Sequence, residues 1–161
     1  MKRPTLAAAL LLLAACGDGG GTSEQATAAP AIQAQSDAEK AALLAALPAP
    51  YNAADLENGR RVFARCRACH TITDGGPNMT GPNLHGVFGR QAGSKERYNY
   101  SPALREAGFD WDAERLDHWL ENPREFLKGN KMSFAGIRDA EDRRDVIAFL
   151  KVETGHLPPA A

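Results

Sequence analysis

Cys66-Arg67-Ala68-Cys69-His70 is the stretch on which the reading of this 161-residue chain turns. Two thiols two residues apart, with a histidine directly after the second, form the attachment pattern of a c-type haem. Each sulfur can take one haem vinyl group as a thioether, and the histidine is then held under the ring within reach of the iron. Two other readings compete. A zinc half-site needs a second ligand pair, and the chain has no cysteine beyond Cys16, Cys66 and Cys69. A thioredoxin-like redox pair needs a βαβ context.

Haem attachment leaves Cys16 over. It follows a basic start, Met1-Lys2-Arg3, and an apolar run from Leu6 to Ala15 that suits a signal-peptide core and is too short to span a bilayer. Leu13-Ala14-Ala15-Cys16 resembles the bacterial lipobox, in which cysteine becomes the first mature residue and carries a lipid. The expectation is a signal peptide over residues 1–15 and a lipid anchor at Cys16, holding the protein to a membrane on its periplasmic side. Ordinary cleavage after small residues, giving a soluble periplasmic protein, is the alternative. Either route ends outside the cytoplasm, where thioethers of this kind are made.

Residues 16–50 read as the anchor cysteine and a flexible linker, because Gly, Ala, Gln, Thr and Pro dominate and large apolar residues are few. Wholly flexible, the linker would span about 30 Å. Ser36 with Glu39 forms a capping-box pattern, and the Ala/Leu run to Leu47 can make a short helix before Pro48 and Pro50. Residues 51–161 then have the size of one domain, with one haem motif and no internal repeat. The whole chain carries 19 Lys+Arg and 20 Asp+Glu, a net charge of −1. That balance excludes nucleic acid as a partner. Arg60, Arg61, Arg65 and Arg67, with Lys128 and Lys131, can rim an exposed haem edge or form solvated helix faces.

The periodicity predicts an all-α domain, helices and loops wrapped around one haem. Asp55 caps a first helix from Leu56 to about Arg65, and Ser101 with Pro102 starts a second that stops at Gly108. A third runs from Asp112 to about Glu121, with Leu116, Trp119 and Leu120 on one face and Pro123 ending it. The last runs from about Asp139 to Val152 and packs on the first. Between Thr71 and Tyr100, frequent Gly, Pro and Asn predict loops around a cofactor, since such a stretch builds no core unaided.

For the sixth position on the iron the chain offers Met132, Met79, His85, His118 and His156, and spacing alone does not choose. A wider set of motifs does bear on the choice. Gly59-Arg60-Arg61-Val62-Phe63, Thr80-Gly81-Pro82-Asn83-Leu84-His85-Gly86, Val87-Phe88-Gly89-Arg90, Tyr98-Asn99-Tyr100-Ser101, Trp111, Leu120-Glu121-Asn122-Pro123, Lys131-Met132-Ser133-Phe134-Ala135-Gly136 and Ile147-Ala148-Phe149-Leu150-Lys151 fall in order along the chain. With them, the stretch from about Asp55 to Lys151 resembles class I cytochrome c, closely its mitochondrial-type branch, here as a bacterial exported form with a lipoprotein-like signal. The resemblance implies His70 and Met132 as axial ligands and one covalent haem c on Cys66 and Cys69. It also implies that the Pro82 carbonyl orients His70 and that Arg90, Tyr100 and Trp111 are haem-propionate partners. Plain packing is the alternative for those three. His85 is implied as a loop tie, with His118 and His156 as exposed bystanders. Trp119 stands where many relatives have tyrosine and Leu104 where mitochondrial members often have asparagine.

The function expected from this resemblance is one-electron transfer in a respiratory chain, between a quinol-oxidising complex and a terminal oxidase, with no substrate bond broken. A haem enzyme or gas-binding protein with an open sixth position is the chief alternative. A fixed electron-entry subunit of a larger oxidoreductase is another, which an exposed apolar patch would favour.

Overall fold

The last helix organises the domain. A computed structural model describes residues 35–156, in which the helices are α1 (Asp37–Ala45), α2 (Leu56–Phe63), α3 (Pro102–Arg105), α4 (Ala113–Glu121), α5 (Pro123–Phe126) and α6 (Ala140–Glu153). The signal-like segment, Cys16 and the first part of the expected linker lie outside the described residues. α6 buries Val146, Ile147, Ala148, Phe149, Leu150 and Val152, which occupy nearly every side of it, so other helices must surround it.

α2 crosses α6 at Gly59. A Cβ there would overlap the Asp145 carbonyl oxygen and lie 2.7 Å from Phe149 Cβ, so only glycine allows this approach. Beside the crossing, the Phe63 and Phe149 rings sit 5.4 Å apart. Asp145 is buried, but its carboxylate accepts from the Asp55 N–H at 3.1 Å, from Asn58 Nδ2 at 3.0 Å and from Arg144, which offsets its desolvation. α4 adds Leu116, Trp119 and Leu120 to the same core. The buried Arg143 of α6 ties it in, donating from Nε to Asp117 Oδ1 at 2.8 Å and from Nη1 to the Ile137 and Arg138 carbonyls at 2.9 Å each.

Two expectations need correction, the domain boundary and the exposure of His156, while a third, the end of α4 at Pro123, holds and goes further. The domain boundary expected at Tyr51 falls inside the packed unit. α1 forms on its Ser36/Glu39 capping box, and Leu47, only 3 % exposed, packs with Ala148 and Val152 of α6. Lys40 of α1 also pairs with Glu153 of α6 at 2.5 Å. Residues 36–50 are therefore no free linker, because three leucines spaced along α1 and after it find an apolar strip on α6 that a composition argument does not see. Pro123 ends α4 and also starts α5 as its first residue, with Asn122 as N-cap. His156 is half-buried rather than exposed, its ring 5.1 Å from that of Phe88.

The stretch between His70 and α3 is irregular, with one isolated antiparallel bridge, Gln91 to Asp110. Polar side chains hold it in place of ladders. Asn83, fully buried, donates from Nδ2 to Thr71 Oγ1 at 2.6 Å and to the Thr73 carbonyl at 2.9 Å, and its Oδ1 accepts from the His85 N–H at 2.8 Å. His85 adds a bond between Nδ1 and the Ile72 carbonyl at 3.2 Å. Buried backbone groups of a loop need such partners.

Candidate functional site

Between the helical layer and these loops lies a cavity of about 240 Å³, lined mostly by apolar side chains. Cys66, Cys69, His70, Pro82, Arg90, Tyr100, Trp111 and Met132, eight residues from five separate stretches of the chain, all line it. Met79, His85, His118 and His156 do not.

The attachment turn follows directly from α2. Backbone bonds from Cys66 N–H to the Phe63 carbonyl at 2.8 Å and from His70 N–H to the Cys66 carbonyl at 3.0 Å wind Cys66-Arg67-Ala68-Cys69-His70 into successive turns. His70 Nδ1–H donates to the Pro82 carbonyl at 2.7 Å, which fixes the tautomer and leaves the Nε2 lone pair free. Burial holds the imidazole below its ordinary pKa, against the upward pull of the Pro82 bond, so the ring is neutral and competent to bind a metal. Gly81 lies flush with the ring: a Cβ there would overlap Cε1 and come 2.7 Å from Nδ1 and Nε2. Burial also pushes the free Cys66 thiol up to about 11, with Arg65 pulling it down and Cys69 raising it further.

On the loop side, Met132 is held by its own N–H, which donates to Asn130 Oδ1 at 2.8 Å. Asn130 Nδ2 is anchored in turn on the Pro123 and Leu127 carbonyls at 2.7 and 2.8 Å. Asn130 and the α5 turn are parts of the site that the sequence did not point to. The signal available was Pro123 after a helix-capping Asn122, which restarts a helix rather than only ending one.

Arg90 donates from Nη1 to the His85 carbonyl at 3.0 Å and from Nη2 to the Asn83 carbonyl at 3.2 Å, and burial holds its pKa below the usual value. Burial raises the Tyr100 phenol, with Arg90 opposing. Trp111 packs edge-on against Phe109 at 4.9 Å and Trp119 at 5.4 Å, so it belongs to the aromatic core as well as to the cavity wall. Tyr98 also lines the cavity, its hydroxyl donating to the Thr80 carbonyl at 2.6 Å.

A largely apolar cavity lined by two thiols, a neutral imidazole and a thioether fits one covalently held haem. Fold and site thus define a class, a small all-helical protein closed around one covalently attached haem c. The family model for cytochrome c matches residues 56–152. The chain is 44 % identical over 101 residues to cytochrome c of Gibberella zeae, covering 62 % of this chain and 95 % of that one. It is 41 % identical over 105 residues to cytochrome c2 of Rhodomicrobium vannielii, covering 65 % and 84 %. The solved structure of cytochrome cH from Methylobacterium extorquens is similar at a TM-score of 0.57 and 41 % identity, covering 60 % of this chain and 97 % of that one. The chain belongs to the class I cytochrome c family. It is a monohaem electron carrier rather than an enzyme. The family match begins at residue 56, so α1 lies outside the matched range.

Proposed function

We propose that the protein carries single electrons from a quinol-oxidising complex to a terminal oxidase at the periplasmic side of a bacterial membrane. Cys66 and Cys69 would hold the haem by thioethers, and His70 and Met132 would bind its iron. The observation that carries this reading is that both thiols, the free Nε2 side of His70 and the Met132 side chain line a single cavity. When bound, the haem supplies an iron that alternates between ferric and ferrous states.

The chain's own residues do the rest. Pro82 keeps the His70 tautomer fixed through both states, so no proton need move with the electron. The apolar walls exclude water, which limits the rearrangement that accompanies a change of charge. Arg90, Tyr100 and Trp111 would take the propionates, because a buried carboxylate requires donors. Residues 1–15 are a signal peptide and Cys16 carries a lipid, with residues 17–35 joining it to α1. No helix among the described residues is long and apolar enough to cross a membrane, so attachment would rest on that lipid.

Two experiments test the proposal. In the oxidised holoprotein a sulfur-to-iron charge-transfer band is expected, and Met132→Ala should abolish it; a band that survives the substitution refutes the ligand assignment. Mass spectrometry of the mature N-terminus should find a lipid on Cys16, and an unmodified terminus refutes the anchor.

A further inference from the structure

The loop that carries Met132 is fixed at both ends but barely in between. Upstream, Asn130 holds the Met132 N–H, and Lys131 Nζ donates to the Asn99 carbonyl at 3.2 Å. Downstream, Ile137 N–H donates to the Leu120 carbonyl at 2.7 Å, and Gly136, at φ +95°, packs directly on the end of α4. From Ser133 to Gly136 the backbone makes no bond to other backbone groups among the described residues. Phe134 packs on the core, and the segment's one hydrogen-bonded tie among the described residues is Arg65: Nη2 donates to the Gly136 carbonyl at 3.2 Å, and Cζ lies 5.1 Å from the centre of the Phe134 ring. Arg65 precedes Cys66 in the attachment turn, and Arg65, Cys66, Met132 and Phe134 all line the cavity.

We propose that Arg65 is a positioning residue for Met132. Its guanidinium latches the attachment turn to the methionine loop, stacking on Phe134 while bonding Gly136, and so disfavours opening of the loop and release of the sulfur. A planar guanidinium can stack and donate sideways at once; an ammonium cannot, so lysine is a poor substitute here. The inference rests on Met132 being an axial ligand, and it gives Arg65 a role beyond that of a rim charge.

The test is an imidazole titration of the oxidised holoprotein, read by loss of the sulfur-to-iron band. Imidazole reaches the iron only when the loop is open, so its apparent affinity scales with the open fraction. Stacking and a hydrogen bond from a charged donor are each worth a few-fold at a partly exposed position. Arg65→Ala should therefore lower the imidazole midpoint about tenfold, and Arg65→Lys or Phe134→Leu about threefold. Because Arg65 and Phe134 act as a pair, the double variant Arg65→Ala/Phe134→Leu should differ little from Arg65→Ala alone. An unchanged midpoint in Arg65→Ala, or full additivity in the double variant, overturns the latch. Should Arg65→Ala not fold, unchanged midpoints in Arg65→Lys and Phe134→Leu overturn it equally. A wild-type protein with no sulfur-to-iron band overturns the Met132 reading and the latch with it, whereas a band with unmoved midpoints overturns the latch only.

Discussion

The α2–α6 crossing and the loops that close the cavity are stabilised by different means. Around the crossing, α6 residues such as Ile147, Ala148 and Val152 are almost wholly buried against side chains of the same polypeptide. The loops add Val87, Phe88, Ala92 and Ile137 to that core, but the rest of their length packs less closely. That remainder depends on single polar anchors, Asn83 and Asn130, and on aromatic and thioether side chains that line the cavity. One region is held by its own side chains and the other is completed by the haem. It follows that the cofactor is part of the folding of the loop half and only borders the helical half.

The strongest test of this division removes the attachment. In Cys66→Ser/Cys69→Ser the amides of residues 71–100 and 130–136 should lose hydrogen-exchange protection by orders of magnitude, while residual protection concentrates in α2 and α6. Uniform loss, or better protected loops, breaks the division. Gly59→Val should be next in size. Two methyl groups cannot fit between α2 and the Asp145 carbonyl, so destabilisation of about 3 kcal/mol or more is expected in denaturant melts. A shift within about 0.5 kcal/mol would mean the crossing is not close-packed.

Leu47→Ala extends the comparison to α1. Deleting a fully buried leucine should cost about 2–3 kcal/mol and loosen residues 36–50, leaving the visible spectrum of the haem unchanged. A near-neutral effect would place α1 outside the cooperative unit. The smallest effect concerns His156, which packs on Phe88 and faces Lys151, itself stacked over the same ring at 4.2 Å. Burial, then the Lys151 charge, hold its pKa below 6.5. The unfolded chain therefore takes up more protons just below pH 6.5, and stability falls as pH drops from there through the lowered folded value. His156→Gln should flatten that limb of the stability profile slightly. An unchanged pH dependence removes His156 as its source.

The helices were legible because their signals are local. Asp55, Ser101, Asp112 and Asp139 sit as the N-caps of α2, α3, α4 and α6, each accepting a backbone bond from the first turn. The motif Cys66-Arg67-Ala68-Cys69-His70 is likewise local, since thioether chemistry dictates its spacing. What was not legible depends on distant partners. The docking of Leu47 and Lys40 on α6 joins positions about a hundred residues apart in sequence. Asn130 looks like any loop asparagine until its two carbonyl acceptors are seen, and His156 looks solvated until Phe88 comes beneath it. Arg65 read as one cation in a charged run; its distinction from Arg61 or Arg67 lies in reaching Phe134 and Gly136.

Whether this chain fills both axial positions itself decides between a carrier and a ligand-binding haem protein, and carbon monoxide tests it most directly. The reduced holoprotein should show a low-spin spectrum that carbon monoxide leaves unchanged, while reduced Met132→Ala should bind the gas readily. A wild-type protein that is high-spin, or that binds carbon monoxide as readily as Met132→Ala, would contradict closure of the site by His70 and Met132.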